Sequence, residues 1–206
     1  MTDQNEMIRP HEAATSSSAL DHSFLARLRE ETGEAHRQLE DTAGLTQSTI
    51  DRTRVAHFLS RMYGFLVPLE IWLARSPIDP AFLEPRRKTS VLAKDLRRIG
   101  VEAESIDLMA LDREAPSLPS ALGALYVVEG STLGSQVIGR WLGQQAWFPA
   151  GGIAYFDIYG DACGRMWRET RARLSQLPPS SHNAAIASAN AIFHRLDGWM
   201  DGRARA

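Results

Sequence analysis

The chain has 206 residues, 44% of them hydrophobic and 23% charged, and a formal net charge of -2 at pH 7; these values are typical of one globular domain and give no sign of nucleic-acid binding. Its single cysteine, Cys163, excludes an intramolecular disulfide and a metal cluster held by thiolates. The first twenty residues lack the apolar region of a secretory signal. No apolar run approaches the ~18 residues of a membrane span. The sequence therefore predicts a soluble, cytoplasmic protein without a membrane anchor.

Two parts of unequal length are predicted along the chain. Residues 1–18 are polar and end in three consecutive serines, which is typical of a flexible N-terminal arm. Residues 19–206 are predicted to form one all-α domain, because helical periods recur and no segment alternates as a strand does. The first helix is expected at about 23–40 from the spacing of its apolar residues. The second is expected at about 51–74 and contains Pro68, which predicts a kink.

The remaining predicted helices are bounded by glycine or proline, residues that commonly mark helix ends. They are expected at about 83–99, followed by Gly100; in a glycine-rich segment entered through Pro119 and Ser120; at about 160–177, followed by two prolines; and from about Ser181 to Gly202.

The segment 121–143 has a helical pattern although it contains five glycines. Each glycine inside a helix costs about 1 kcal/mol relative to alanine, so five cost roughly 4–5 kcal/mol of the ~5–15 kcal/mol that stabilises a domain. A surface that must approach the helix backbone closely would offset this cost, and both another helix and a flat ligand fit that requirement. The five positions are Gly123, Gly130, Gly134, Gly139 and Gly143.

His36 differs from the other histidines in its place on the predicted first helix. It lies at the edge of the apolar face, and Glu40 follows one turn later on the same side. A metal-binding histidine commonly donates its second ring N–H to a carboxylate, which fixes the orientation of the imidazole. The same spacing also fits a histidine at the protein surface with a neighbouring carboxylate. Both interpretations remain open from the spacing alone.

Four segments together resemble the haem oxygenase family over nearly all of the chain after about Ser23. Residues 28–40 are similar to the family's proximal helix, with Thr32, His36 and Glu40 in register. Residues 126–136 are similar to the distal helix of its bacterial members. The two shorter matching segments are 63–70 and 159–167.

This resemblance implies an all-α, single-domain helical bundle in which haem is sandwiched between a proximal helix and a kinked, glycine-rich distal helix. It implies that His36 is the proximal ligand of the haem iron and that Glu40 accepts a hydrogen bond from the imidazole. It places the catalytic residues on the distal helix: Gly130, Ser131 and Gly134. The further haem-binding residues that it implies are Tyr126 and Arg171 for the propionates and Phe193 for the pocket wall.

The resemblance also implies a reaction. Haem would serve as both cofactor and substrate, and O2 and electrons would convert it to biliverdin, CO and ferrous iron. Animal members carry an aspartate where this chain has Ser131, so protons are expected to reach the site through Ser131 and ordered water. The sequence contains no dinucleotide-binding fingerprint, so a separate reductase or redoxin is the expected electron donor. Iron release and bilin supply to a photoreceptor both remain open as the purpose.

Two other functions remain open from the sequence. A haem carrier or sensor of the same fold would need His36 as much as an enzyme does. A haem-free helical relative, such as a thiamine-degrading enzyme, would use Cys163 as its nucleophile. That alternative leaves the register of His36 and Glu40 unexplained, and a lone cysteine is more often a small core residue.

Overall fold

The structure, a computed structural model, describes the backbone of residues 12–203 and the side chains of residues 24–203. Within this range the regular elements are α-helices and short 3-10 turns. The α-helices are α1 (Glu12–Ala43), α2 (Arg52–Leu73), α3 (Pro80–Leu83), α4 (Thr89–Arg98), α5 (Leu118–Leu142), α6 (Cys163–Ser175) and α7 (Pro179–Met200). The 3-10 turns are Glu84–Arg86, Ala103–Ser105, Ala154–Asp157 and Gly160–Ala162. The predicted all-α class is confirmed.

The first helix begins earlier than its apolar pattern indicated. α1 starts at Glu12, so residues 12–18, predicted to belong to the flexible arm, are helical. The rest of the predicted arm, residues 1–11, lies outside the described part of the chain. A polar segment carries no apolar period, so the pattern alone does not predict a helix there.

The single helix predicted over 83–99 is wrong in its first part. Pro85 lies in the 3-10 turn, and the chain is extended at Arg87 before α4 begins at Thr89. The Glu70 carboxylate accepts hydrogen bonds from the backbone N–H groups of Lys88 (2.6 Å) and Thr89 (3.1 Å), and so it caps the new helix. The cap therefore comes from a different helix, α2, which a local pattern does not reveal.

α5 is the central helix of the bundle. It packs against α6 and α7, and α7 packs in turn against α1. Two of its glycines face neighbouring protein at close range. A Cβ atom added at Gly123 would overlap the carbonyl oxygen of Ala185 and lie 3.1 Å from the backbone nitrogen of Ala189. One added at Gly139 would lie 3.2 Å from the Cβ atom of Phe156. Close packing between elements therefore explains Gly123 and Gly139.

Replacing Gly123 with alanine is expected to destabilise the protein although alanine is the better helix former. The overlap with the α7 backbone should cost about 1–3 kcal/mol, which exceeds the propensity gain of about 1 kcal/mol. Urea unfolding measures the difference. Gly134→Ala is the matched control, because no atom lies within 4 Å of its added Cβ, and it should gain about 0.5–1 kcal/mol. A Gly123→Ala midpoint at or above that of the parent chain would contradict the packing assignment.

A buried carboxylate fixes the end of α1 against α7. Asp197 is only 3% exposed and accepts hydrogen bonds from Gln38 Nε2 (2.9 Å), Thr42 Oγ1 (2.5 Å) and Arg203 Nη2 (2.7 Å). A buried carboxylate with several donors is strongly oriented. These bonds hold the turn of α1 that carries His36 in a defined position relative to α7.

Candidate functional site

A cavity of about 940 Å³ lies between α1 and α5, and α6 and α7 complete its wall. Its volume is at the upper end of the ~300–1,000 Å³ of small-molecule sites. The lining residues are Leu25, Ala26, Arg29, Glu30, Thr32, Gly33, His36 and Arg37 of α1; Tyr126, Val127, Gly130, Ser131 and Leu133 of α5; Trp167 and Arg171 of α6; and Phe193 of α7.

His36 presents a half-exposed imidazole to this cavity. Its side chain is 48% exposed, and its Nδ1 atom lies 3.6 Å from a carboxylate oxygen of Glu40. The ring of Phe193 meets the imidazole edge-on, with 5.5 Å between the ring centroids. Because Nδ1 faces Glu40, Nε2 is the ring nitrogen left for a ligand. The structure therefore places a potential ligating nitrogen at the α1 wall.

Gly130 forms part of the α5 wall and has no second helix backbone against it. A Cβ atom added there would meet only the ring of Trp167, at 3.5 Å, which is an ordinary contact. Tyr126, one turn earlier, packs beside the same tryptophan with 5.5 Å between centroids. Close helix packing, which explains Gly123, therefore does not explain Gly130. The missing side chain leaves room in the cavity instead.

The structure brings six of the predicted site residues together and leaves two at the edge. The six that line the cavity are His36, Tyr126, Gly130, Ser131, Arg171 and Phe193. Glu40 lies outside the lining, with a side chain 65% exposed beside His36. Gly134 is exposed one turn beyond Gly130 and does not line the cavity. The Ser131 hydroxyl donates to the Val128 carbonyl at 3.1 Å.

Sequence reasoning missed several cavity residues on α1. Arg29 and Arg37 line the cavity together with Gly33. Arg29 lies seven residues before His36 and so shares its helix face, a signal that was present in the sequence. Gly33 also lies inside a helix, where glycine is less stable than alanine. The same unfavourable position drew attention to the glycines of α5. With Arg171 on α6, these two arginines give the cavity cationic groups suited to carboxylates.

Cys163 lies in the core and not in the cavity. It is 4% exposed, and its Sγ atom is 3.4 Å from the Thr132 hydroxyl. A nucleophilic cysteine needs access to substrate and a group that stabilises its thiolate. This position supports the interpretation of Cys163 as a small buried packing residue.

The fold and the cleft together define a class of protein. The cavity between α1 and α5 is lined by a helix glycine on α5, an accessible imidazole on α1, three aromatic rings and three arginines. Such a site is suited to a flat, anionic ligand that offers a coordination position to nitrogen. By its geometry the protein is an all-α chain whose main described cleft has the shape and chemistry suited to a planar ligand.

Sequence comparison identifies the family. The family model described as Heme oxygenase matches residues 22–201. A heme oxygenase of Xanthomonas campestris pv. campestris (strain 8004) is 32% identical over 167 residues, which are 78% of this chain and 97% of that protein. The chain belongs to the haem oxygenase family, and it is a haem-degrading oxidoreductase.

Solved structures agree on the fold. The heme oxygenase of Neisseria meningitidis, in its NO- and CO-bound crystal structures, matches with a TM-score of 0.69 at 19% identity and covers 87% of this chain and 91% of its own. The heme oxygenase of Leptospira interrogans matches with a TM-score of 0.65 at 16% identity, over 87% and 99% of the two chains. In the described part of this chain, no helix combines the length and apolar character needed to cross a membrane.

Proposed function

We propose that haem binds in the cavity between α1 and α5, with His36 as the ligand of its iron and the α5 backbone at Gly130 against the opposite face. One observation carries this proposal: Gly130 borders open cavity where a helix glycine has no packing partner other than one tryptophan ring. A flat ligand that approaches the backbone would offset the cost of that glycine.

The lining chemistry fits a porphyrin. Its ring is apolar and planar, and Tyr126, Trp167 and Phe193 offer aromatic surface to it. Its two propionates are carboxylates, and Arg29 and Arg171 offer guanidinium groups in the same cavity. Haem bound there would supply the iron at which O2 is activated, while this chain would bind and orient it.

The residues beside the iron would have separate roles. Neutral His36 would ligate through Nε2. Glu40 would accept a hydrogen bond from Nδ1–H, for which the 3.6 Å separation must shorten by a few tenths of an ångström. The Ser131 hydroxyl donates to Val128, so its oxygen can still accept a hydrogen bond from an ordered water in the cavity. That water would deliver protons to the α5 side of the haem.

Replacing Glu40 with glutamine is expected to retain haem binding and to lower turnover about 10-fold, because a neutral amide oxygen accepts the imidazole N–H but does not make the ligand as basic. The iron–histidine stretching band in resonance Raman spectra should shift to lower frequency. Glu34→Gln, on the exposed part of α1 and outside the cavity lining, is the matched control. An unshifted band in Glu40→Gln would remove Glu40 from this role.

A single-turnover experiment tests whether haem bound in this cavity is degraded. Protein loaded with ferric haem under anaerobic conditions receives a reductant and then air. An oxygenase loses its Soret band and yields green biliverdin, whereas a carrier or sensor retains the Soret band. Chromatography of the product also identifies the meso carbon that is attacked.

We further propose that the electrons come from a separate reductase or redoxin and that the reaction takes place in the cytoplasm. The sequence supports the first point, since it carries no dinucleotide-binding fingerprint. Reconstitution with purified redoxins, measured as biliverdin formed per electron supplied, tests it. The same reaction would serve iron release through its ferrous iron and bilin supply to a photoreceptor through its biliverdin.

A further inference from the structure

A buried ionic cluster lies on the face of α5 that turns away from the cavity. Glu129 directly precedes Gly130 and is fully buried. Its Oε1 atom accepts hydrogen bonds from Lys88 Nζ and from the Tyr159 hydroxyl (2.9 Å). Lys88 is itself 2% exposed and also contacts the Tyr159 oxygen at 2.7 Å. Burial and the Glu129 carboxylate raise the pKa of Tyr159, so its hydroxyl stays protonated and can donate.

Arg86 extends the cluster from α5 to α6. Its buried guanidinium donates from Nη2 to the Glu169 carboxylate at 2.8 Å and to the Met166 carbonyl at 3.3 Å. Its Nε atom lies 3.7 Å from Oε2 of Glu129. The ring of Phe82 covers the guanidinium at 3.5 Å. Arg86 therefore connects a carboxylate on α5 with a carboxylate on α6.

The two connected helices are those that face each other across one side of the cavity. Gly130 follows Glu129 on α5, and Trp167 lies between Met166 and Glu169 on α6. The ring of Trp167 is 3.5 Å from the Cβ position of Gly130. The cluster thus joins α5 and α6 at the turns that line the cavity. Loss of its bonds is therefore expected to alter the distance between the Gly130 backbone and the Trp167 ring.

Stability alone does not explain such a cluster. Buried ion pairs can often be replaced by apolar residues with no loss of stability, because desolvation offsets their attraction. Here two atoms of the cluster, Arg86 Nε and Glu129 Oε2, have no hydrogen-bond partner among the described residues, which adds to the cost. The cluster instead fixes the position of one side chain, since the hydrogen bonds from Lys88 and Tyr159 determine where the Glu129 carboxylate lies.

We propose that Glu129, held by Lys88, Tyr159 and Arg86, is a positioning residue that sets the placement of haem in the cavity by fixing the α5 backbone against α6. This inference rests on the proposed haem site. It assigns no contact between these side chains and haem. We expect substitutions in the cluster to change the orientation of bound haem and therefore the meso carbon that is attacked.

The test uses a double variant and a binding probe that does not turn over. Lys88→Met/Glu129→Met removes both partners of the shortest ion pair, so neither charge is left alone in the core, while Arg86 keeps Glu169. We expect the dissociation constant for zinc protoporphyrin IX, measured by fluorescence, to rise about 10-fold. The Soret circular dichroism of that complex should change, and so should the isomer distribution of the biliverdin formed from haem.

Two further variants keep the test decisive. Tyr159→Phe removes one hydroxyl without unpairing Lys88 from Glu129, so it should fold and change the same readouts in the same direction, about 3-fold in affinity. Asp95→Ala is the structural control: it removes a buried carboxylate on α4 that accepts a hydrogen bond from the Tyr155 backbone N–H, away from the cavity, and it should lower melting without changing the isomers.

The outcomes separate this inference from the proposed function. If the parent chain does not bind zinc protoporphyrin IX, the haem site itself is wrong. If the parent binds it and both the double variant and Tyr159→Phe keep the parent dichroism and isomer distribution, the cluster is merely structural and the inference is overturned. If the double variant does not fold, Tyr159→Phe decides alone.

Discussion

Replacing His36 with alanine is expected to abolish histidine-ligated haem and biliverdin formation while the fold persists. The imidazole is 48% exposed, so little buried surface is lost, and alanine favours the helix. Haem would still enter the apolar cavity, but without its protein ligand. The ferrous resonance Raman spectrum should lack an iron–histidine band, and single-turnover biliverdin yield should fall at least 100-fold, on the scale that removal of a positioning ligand costs. Melting of the apo-protein should stay near that of the parent.

His57→Ala is the matched control for this variant. His57 is an exposed histidine on α2 that does not line the cavity. It should leave both the spectrum and the yield unchanged. A His36→Ala protein that keeps a histidine-ligated spectrum and full yield would show that another residue holds the iron.

Replacing Gly130 with leucine is expected to block haem binding without preventing the protein from folding. An added Cβ meets only the Trp167 ring at an ordinary contact distance, and leucine is the better helix former, so apo-protein stability should stay level or rise by about 0.5–1 kcal/mol. The rest of the side chain would extend into the cavity. Zinc protoporphyrin IX affinity and single-turnover biliverdin formation should each fall on the order of 100-fold.

Gly134→Leu distinguishes an effect on the cavity from a general effect on the stability of α5. Gly134 is exposed and has open space around it, so this variant should gain the same helix stability. The family resemblance places Gly134 against haem, whereas the cavity lining stops at Leu133. We therefore expect Gly134→Leu to slow biliverdin formation less than Gly130→Leu does. Normal turnover and normal melting in Gly130→Leu would remove α5 as the distal wall.

The glycines of α5 show which features of the site could be predicted from the sequence and which could not. The helical period predicted α5, and the energetic cost of its glycines predicted that a surface approaches it closely. The structure divides these glycines: Gly123 faces the α7 backbone, Gly139 faces Phe156, and Gly130 faces the cavity. The sequence does not show which glycine faces protein and which faces a ligand. A neighbouring helix and a bound ligand both require a position without a side chain, so the two cases give the same pattern.

Local patterns also failed where a partner came from far along the chain. The break before α4 follows from Pro85 together with a cap from Glu70 on α2. The pairing of Lys88 with Glu129 joins residues 41 positions apart, and residue type does not reveal that either charge is buried. By contrast, His36 and Glu40 lie one helical turn apart, so their proximity could be predicted and is confirmed.

A crystal structure of the ferric haem complex, with the iron located by its anomalous scattering, would decide where haem binds. We expect iron within bonding distance of His36 Nε2, the porphyrin plane against the α5 backbone at Gly130, and the propionates beside Arg171 or Arg29. Iron bound to another residue, or a porphyrin outside the cavity between α1 and α5, would show that the proposed site is wrong.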